Sequence, residues 1–204
     1  MIRQLPALLR NRFMHSTRQV EGRELQIPPG VMDPVLFKTG LWFAQSMRQH
    51  WRTSESVLDL GCGAGLLGVL AQNDGLRVTA TDLSPQACLA ARKNGIQDVR
   101  QGELFEPVLG ERFDHICFNP PYYRKVRWYT PFKNALVGSE ELMDTLLRTA
   151  PDFLNPHGQL WLATGRGAEW LWPMLEMNGC TFETENIDFE DLRLWNLHMN
   201  STSI

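Results

Sequence analysis

The 204-residue sequence has no apolar run long enough to span a bilayer, so it offers no candidate membrane-spanning helix. Its cysteines number only four, Cys62, Cys88, Cys117 and Cys180, and no CxxC pair or Cys/His cluster with zinc-ligand spacing occurs. Thiols so widely spaced, in apolar or glycine-rich surroundings, read as buried and reduced, as expected of a cytoplasmic protein. Strong charge bias is missing too. A formal net charge of −3 argues against a surface built wholly for nucleic acid and leaves room only for local basic patches. Repeats, low-complexity tracts and linkers are absent, so the length is that of one domain large enough to bury its own core.

Two local absences carry information. The first twenty residues contain Arg3, Arg10, Arg12 and Arg18 but no acid. That pattern fits either a transit peptide or an amphipathic helix packing Leu5, Leu8, Leu9 and Phe13 on the domain, and the lack of Ser or Thr before Ser16 favours the helix. From His115 to Gly138 there is again no acid. Within that stretch Arg124, Lys125, Arg127 and Lys133 alternate with Tyr123, Trp128, Tyr129 and Phe132. Cations with interleaved aromatics suit a phosphate backbone with splayed bases, and they equally suit an acidic protein surface or a lid over a bound cofactor.

What is present is an alternation of strands and helices. Arg23–Ile27 alternates as a short strand and Pro28-Pro29-Gly30 stops it. Phe37 to Trp51 carries apolar residues at helical spacing, with Thr39 and Gly40 in the first turn, where free N–H groups can meet a ligand. Apolar strands are expected at 57–60, 77–82, 113–118 and 160–163. Ser84 with Pro85, and Ser139, mark helix starts; the Ser139 helix is expected to run past Phe153 and end at Asn155-Pro156-His157-Gly158. A further helix is expected over 168–177, and the runs 181–187 and 192–199 form a hairpin at a sheet edge. Together these predict an α/β fold with an open, mostly parallel sheet and a C-terminal antiparallel hairpin.

Two stretches carry the chemistry. Val57-Leu58-Asp59-Leu60 runs into Gly61-Cys62-Gly63-Ala64-Gly65, a strand, glycine turn and helix start of the kind that lets a backbone approach a nucleotide-like ligand. Asp82 ends the next strand about 20 residues on, where an acid can take both hydroxyls of a ribose. Gly63, Gly65 and Gly68 also satisfy a literal GxGxxG, so a dinucleotide-dependent oxidoreductase is the rival. Asp59 counts against it, because an acid there suits an ammonium group and sits badly beside a pyrophosphate. Past a further short strand that ends before Gly102, Glu103 can accept from an amino group while the Leu104 backbone meets a ring edge, although a solvated loop acid fits Glu103 as well.

The second stretch is Asn119-Pro120-Pro121-Tyr122, at the end of the strand 113–118. The Asn119 side-chain carbonyl and the Pro120 backbone carbonyl are two acceptors that can converge on one NH₂ group. Held that way, the nitrogen lone pair is turned outward and the positive charge that develops on attack is stabilised. Pro121 stiffens the turn, and Tyr122 can stack on a flat substrate group. No serine or cysteine nucleophile is needed for such a displacement.

From about Pro28 to Gly165 the chain resembles the class I S-adenosylmethionine-dependent methyltransferases, with their Rossmann-like fold. Within them it is similar to the small methyltransferase domain group, which includes the HemK-like protein-glutamine N-methyltransferases with an NPPY motif. The resemblance implies S-adenosylmethionine as cofactor, held by Thr39, Asp59, Gly61, Cys62, Gly63, Gly65, Asp82, Leu83, Glu103, Leu104 and Asn119. It implies that Asn119, Pro120, Pro121 and Tyr122 receive the target nitrogen; the basic, aromatic composition of the loop beyond them suggests Tyr123, Arg124, Arg127 and Trp128 as substrate contacts. Residues 1–30 would then be a helix-and-strand extension on a single catalytic domain spanning 31–204. The acceptor implied is a macromolecule, a protein glutamine first and an RNA base second, with small molecules third and a silent binding module as the non-enzymatic reading. Two departures bear on the substrate. Little chain precedes the catalytic part, where release-factor enzymes carry a helical recognition domain, and this leaves room for an accessory subunit; and Thr130-Pro131 replaces the usual acid before proline.

Overall fold

The computed structural model describes residues 14–126, 133–187 and 190–198. The expected helix carrying Leu5, Leu8, Leu9 and Phe13 lies outside them, as do Arg127, Trp128, Tyr129 and Phe132. The chain opens with a hairpin, β1 (Ser16–Val20) against β2 (Arg23–Ile27). The second strand was expected. Its partner was not, because Ser16-Thr17-Arg18-Gln19 is wholly polar and offers no apolar alternation before Val20.

The rest is a seven-stranded sheet. Its elements in chain order are α1 (Lys38–Ser46), β3 (Ser56–Leu60), α2 (Leu66–Asn73), β4 (Arg77–Asp82), α3 (Pro85–Lys93), β5 (Asp98–Gln101) and β6 (Phe113–Phe118). Then follow α4 (Lys133–Leu136), α5 (Glu140–Thr149), β7 (Leu154–Thr164), α6 (Trp172–Met177), β8 (Thr181–Ile187) and β9 (Glu190–His198). The strand order is β5-β4-β3-β6-β7-β9-β8, parallel from β5 through β7 and antiparallel in the last two pairs. The terminal hairpin thus sits at the sheet edge with β8 outermost, as its alternating pattern predicts. Helices cover both faces, and the apolar residues of β3 divide between the two cores, Val57 on one side and Leu58 and Leu60 on the other. A strand buried on both faces has to read as a continuous apolar run, which is why 57–60 stands out in the sequence. No helix among the described residues is long and apolar enough to cross a membrane.

Helix starts follow the sequence closely. Ser84 accepts from the Ala87 N–H and Ser139 from that of Leu142, each satisfying a donor that the first turn leaves free. Helix ends depart from it. The Ser139 helix stops at Thr149 and tightens into a 3₁₀ turn over Ala150–Phe153, because Pro151 has no N–H to continue the α-helical ladder. Asn155 to Gly158, expected to terminate that helix, instead lie inside β7, where the register against β6 shifts between Phe113 and His115. The helix expected over 168–177 is α-helical only from Trp172, and the helix from Phe37 becomes 3₁₀ at Met47–Gln49.

Candidate active site

The chain moves from β5 back across the sheet to β6, so β3 and β6 are neighbours whose crossovers run in opposite directions. An open α/β sheet parts at such a point, and its ligands bind beyond the carboxyl ends of the strands there. A cavity of about 370 Å³ lies in that position, lined by the ends of β3, β4 and β6 among others.

Its floor is the turn after β3. Gly63 has φ +56, and a Cβ built on it would meet nothing within 4 Å, so the backbone faces open space. Gly65 has φ +82 as well, but its Cβ would meet Ala91 of α3 at 3.1 Å. The first glycine opens the backbone to a ligand; the second lets α2 start against α3 and does not line the cavity. The turn is fixed by Cys62 N–H donating to Thr81 O at 2.9 Å and Gly65 N–H to Cys62 O at 2.8 Å.

Two acids flank the turn. Asp82 accepts from the N–H groups of Gly63 at 2.9 Å and Ser84 at 2.8 Å. Burial pushes its carboxyl up from the usual range, and these two backbone donors oppose the shift. Asp59 is only 5% exposed and accepts from Gly68 N–H at 3.0 Å, which ties the end of β3 to the first turns of α2. Its carboxyl is raised to about 7, chiefly by burial and also by nearby Asp82, against the lowering effect of the Gly68 bond. A carboxyl balanced in this way ionises readily once a cation approaches. The Cys62 thiol at the same turn is held well above its ordinary value by burial and by the two acids, and it lines the cavity as a neutral group.

Of the other residues expected around a cofactor, Gly61, Leu83, Glu103, Leu104 and Asn119 line the cavity. Thr39 does not. It is 4% exposed and its hydroxyl lies 3.3 Å from that of Tyr122. Tyr122 is itself buried and does not line the cavity, so its side chain braces α1 against the end of β6 and is no open stacking platform. Its carbonyl accepts from the Trp170 indole N–H at 2.6 Å. Pro121 lines the cavity and Pro120 does not. The stretch is further pinned where Tyr123 N–H donates to Leu136 O and Gly138 N–H to Tyr123 O. Tyr123 packs on Tyr122 with ring centroids 5.0 Å apart. Arg124 is paired with Glu140 and lies over the Trp170 ring, 4.5 Å from its centroid. The cationic stretch is therefore partly neutralised by α5, an acid 16 residues away that no local pattern reveals.

Among the described residues, two that line the cavity carry a buried polar atom without a hydrogen-bond partner, Asn119 Oδ1 and Thr81 Oγ1. Such orphans are costly unless a ligand completes them. Thr81, Phe37 and Leu142 were not singled out in the sequence although they line the cavity. Thr81, next to Asp82 at the strand end, could have been found; Phe37 and Leu142 come from helices that only folding brings there.

The comparisons agree with this geometry. The family model described as "Methyltransferase small domain" matches residues 39–176. The chain is 29% identical over 174 residues to a release factor glutamine methyltransferase of Geobacter sulfurreducens, covering 76% of this chain and 60% of that protein. It is 33% identical over 115 residues to ribosomal RNA small subunit methyltransferase C of Alcanivorax borkumensis, covering 54% of this chain and 32% of that one. The chain thus spans a third to three-fifths of the length of these relatives. Among solved structures, a T. thermophilus 16S rRNA methyltransferase in complex with AdoMet and guanosine superposes with a TM-score of 0.64 at 20% identity, over 89% of this chain and 49% of that one, a likeness of fold. With the family match covering every strand from β3 to β7, the dinucleotide oxidoreductase reading falls away, and the chain belongs to the methyltransferase small domain family.

Proposed function

We propose that this chain transfers the methyl group of S-adenosylmethionine to a planar amide or amino nitrogen of a macromolecule, with a protein glutamine as the first acceptor. The observation that carries the reading is Asn119 Oδ1, a buried acceptor without a partner at the end of β6, beside a cavity floored by the Gly61–Gly65 turn. The residues present fit the cofactor: Gly63 leaves its backbone open, Asp82 and Thr81 offer acceptors at a strand end, and Asp59 is poised to ionise beside an ammonium. When bound, S-adenosylmethionine supplies an electrophilic methyl group on a good leaving group.

The chain's own part is positioning and charge stabilisation. Asn119 Oδ1 and the Pro120 carbonyl accept the two protons of the target NH₂, which turns its lone pair away from them. The same two dipoles stabilise the positive charge that grows on nitrogen as it attacks. A strong base is unnecessary, since the cationic product releases its proton to solvent afterwards. The bonds from Trp170 to the Tyr122 carbonyl and between Thr39 and Tyr122 hold this strand end still.

A glutamine amide is placed ahead of a base because a glutamine methyltransferase relative aligns over 76% of this chain, against 52% to 70% for the ribosomal RNA relatives. An RNA base is the second reading, favoured by the acid-free, aromatic-rich stretch from His115 to Gly138. Calorimetry tests the reaction class: S-adenosylhomocysteine should bind at micromolar concentration and NADH not at all, and the reverse would sink the proposal. Tritiated cofactor and cell extract then separate the acceptors, since label retained after ribonuclease but lost to protease means protein.

A further inference from the structure

The N-terminal hairpin looks like an extension laid on the catalytic domain, but its contacts run straight to the cofactor turn. β2 pairs with β1 along one edge only, so its other edge carries backbone groups in need of partners. At Gln26 those partners come from one side chain. Asn94, at the C-terminal end of α3, accepts from the Gln26 N–H at 2.8 Å and donates to the Gln26 carbonyl at 2.8 Å. Its amide thus plays the part of a neighbouring peptide group in a β-ladder. The Asn94 NH₂ group also donates to the carbonyl of Ala64 at 2.8 Å, in the middle of the turn between Gly63 and Gly65. Aspartate in its place would keep the acceptor and lose both donors; serine would be too short to span the pair.

A second tie joins the same hairpin to another stretch that lines the cavity. Arg18 of β1 is ion-paired at 2.7 Å with Asp33, which is fully buried. Asp33 also accepts from the N–H groups of Val35 at 3.0 Å and Leu36 at 3.1 Å. It thereby shapes the segment from which Gly30, Val31, Met32 and Pro34 reach the cavity. The hairpin is therefore fastened to two stretches of one site, to the glycine turn through Asn94 and to the 30–34 segment through Arg18.

We infer that Asn94 is a positioning residue for the cofactor site, whose side-chain amide couples docking of the β1–β2 hairpin to the shape of the Gly63–Gly65 turn. Cofactor binding and hairpin docking are then one linked equilibrium, each strengthening the other by the same factor. The inference rests on the proposed cofactor.

Four proteins test it: the full chain, Asn94→Ala, Arg18→Gln and the double variant, with Leu175→Ala as a control whose buried side chain lies on α6, far from the hairpin in sequence and on the other core. S-adenosylhomocysteine affinity is measured by calorimetry, and hairpin amides are followed by hydrogen exchange with and without that ligand. Asn94→Ala should weaken binding about ten-fold, consistent with the loss of a small hydrogen-bonded set. It should also abolish the ligand-induced slowing of exchange at 16–27, raise KM for the cofactor and retain kcat at saturation. Arg18→Gln should act in the same direction, and the double variant should cost less than the product of the two, because both release the same element. Leu175→Ala should lower Tm and leave affinity and hairpin protection unchanged. Should Asn94→Ala fail to fold, Arg18→Gln carries the same measurements from the other tie. Unchanged affinity, or weakened affinity with hairpin protection intact, overturns the inference while leaving the cofactor reading in place. Failure of the unaltered chain to bind the ligand removes both.

Discussion

The two sides of the cavity are built from different materials. On the β3–β4 side, function is carried by backbone: an open glycine turn and carboxyls held by the N–H groups of Gly63, Gly68 and Ser84. On the β6–β7 side it is carried by side chains that meet across long stretches of sequence. Trp170 grips Tyr122 from 48 residues away, and Thr39 meets the same residue from 83. The first side is made of local devices that line the cavity, whereas the second is a set of long-range contacts that fix one strand end. The first side should therefore govern binding of the cofactor, and the second the rate at which an oriented nitrogen reacts.

The sharpest way to break that division is Asn119→Ala. Removing a preorganised dipole from a charge-developing site costs about 10²–10³ in kcat, so turnover should fall by that factor while calorimetry shows S-adenosylhomocysteine affinity nearly unchanged. Surviving activity would show that the end of β6 does not receive the nitrogen. Asp82→Ala should do the opposite, weakening the same affinity by about 1–3 kcal/mol, the worth of a lost hydrogen bond to a charged group, with kcat at saturation retained.

The acid–base state of Asp59 gives a third test. Its carboxyl is raised to about 7 in the fold, above its unfolded value, so the folded protein holds a proton that the unfolded chain releases. Its contribution to the stability of the ligand-free protein is complete below the unfolded value and is lost as pH rises through about 7. Binding of a cofactor ammonium favours the ionised form and should tighten over the same rise. Melting temperatures and affinities measured from pH 5 to pH 8 (roughly spanning that titration) should therefore move in opposite directions, and Asp59→Asn should flatten both. The smallest effect is expected from Trp170→Phe, which keeps the ring and deletes the donor to the Tyr122 carbonyl. A loss of about 1 kcal/mol in positioning corresponds to roughly a five-fold fall in kcat, with cofactor affinity unmoved. If affinity falls instead, the two sides are not separable.

Legibility follows the same boundary. Glycine turns, strand-end acids and serine caps are local devices, encoded within a few residues, and Asp59, Gly63, Asp82, Ser84 and Ser139 stand where their patterns place them. Asn119 was legible for the same reason, as a polar residue closing an apolar strand. Tyr122 was not: its chemistry suggests a stacking surface, but the hydroxyl of Thr39 and the packing of α1 draw it inward. Arg124 reads as a free cation until α5 brings Glu140 to it. Gly65 resembles Gly63 in every local respect, and only the approach of Ala91 on α3 separates a packing glycine from a ligand-facing one.

The sequence by itself determined the alternation of strands and helices, the order in which the glycine turn, the strand-end acids and Asn119 appear, and the polar groups each strand end offers, because these depend on period, capping and residue type over short distances. Tertiary structure alone decided which of those residues face the cavity. It turned Tyr122 from platform to brace, and joined the hairpin to the glycine turn through Asn94. The physical reason is that hydrogen-bond partners and buried neighbours are fixed by strand order and helix packing, and no short-range pattern carries that information.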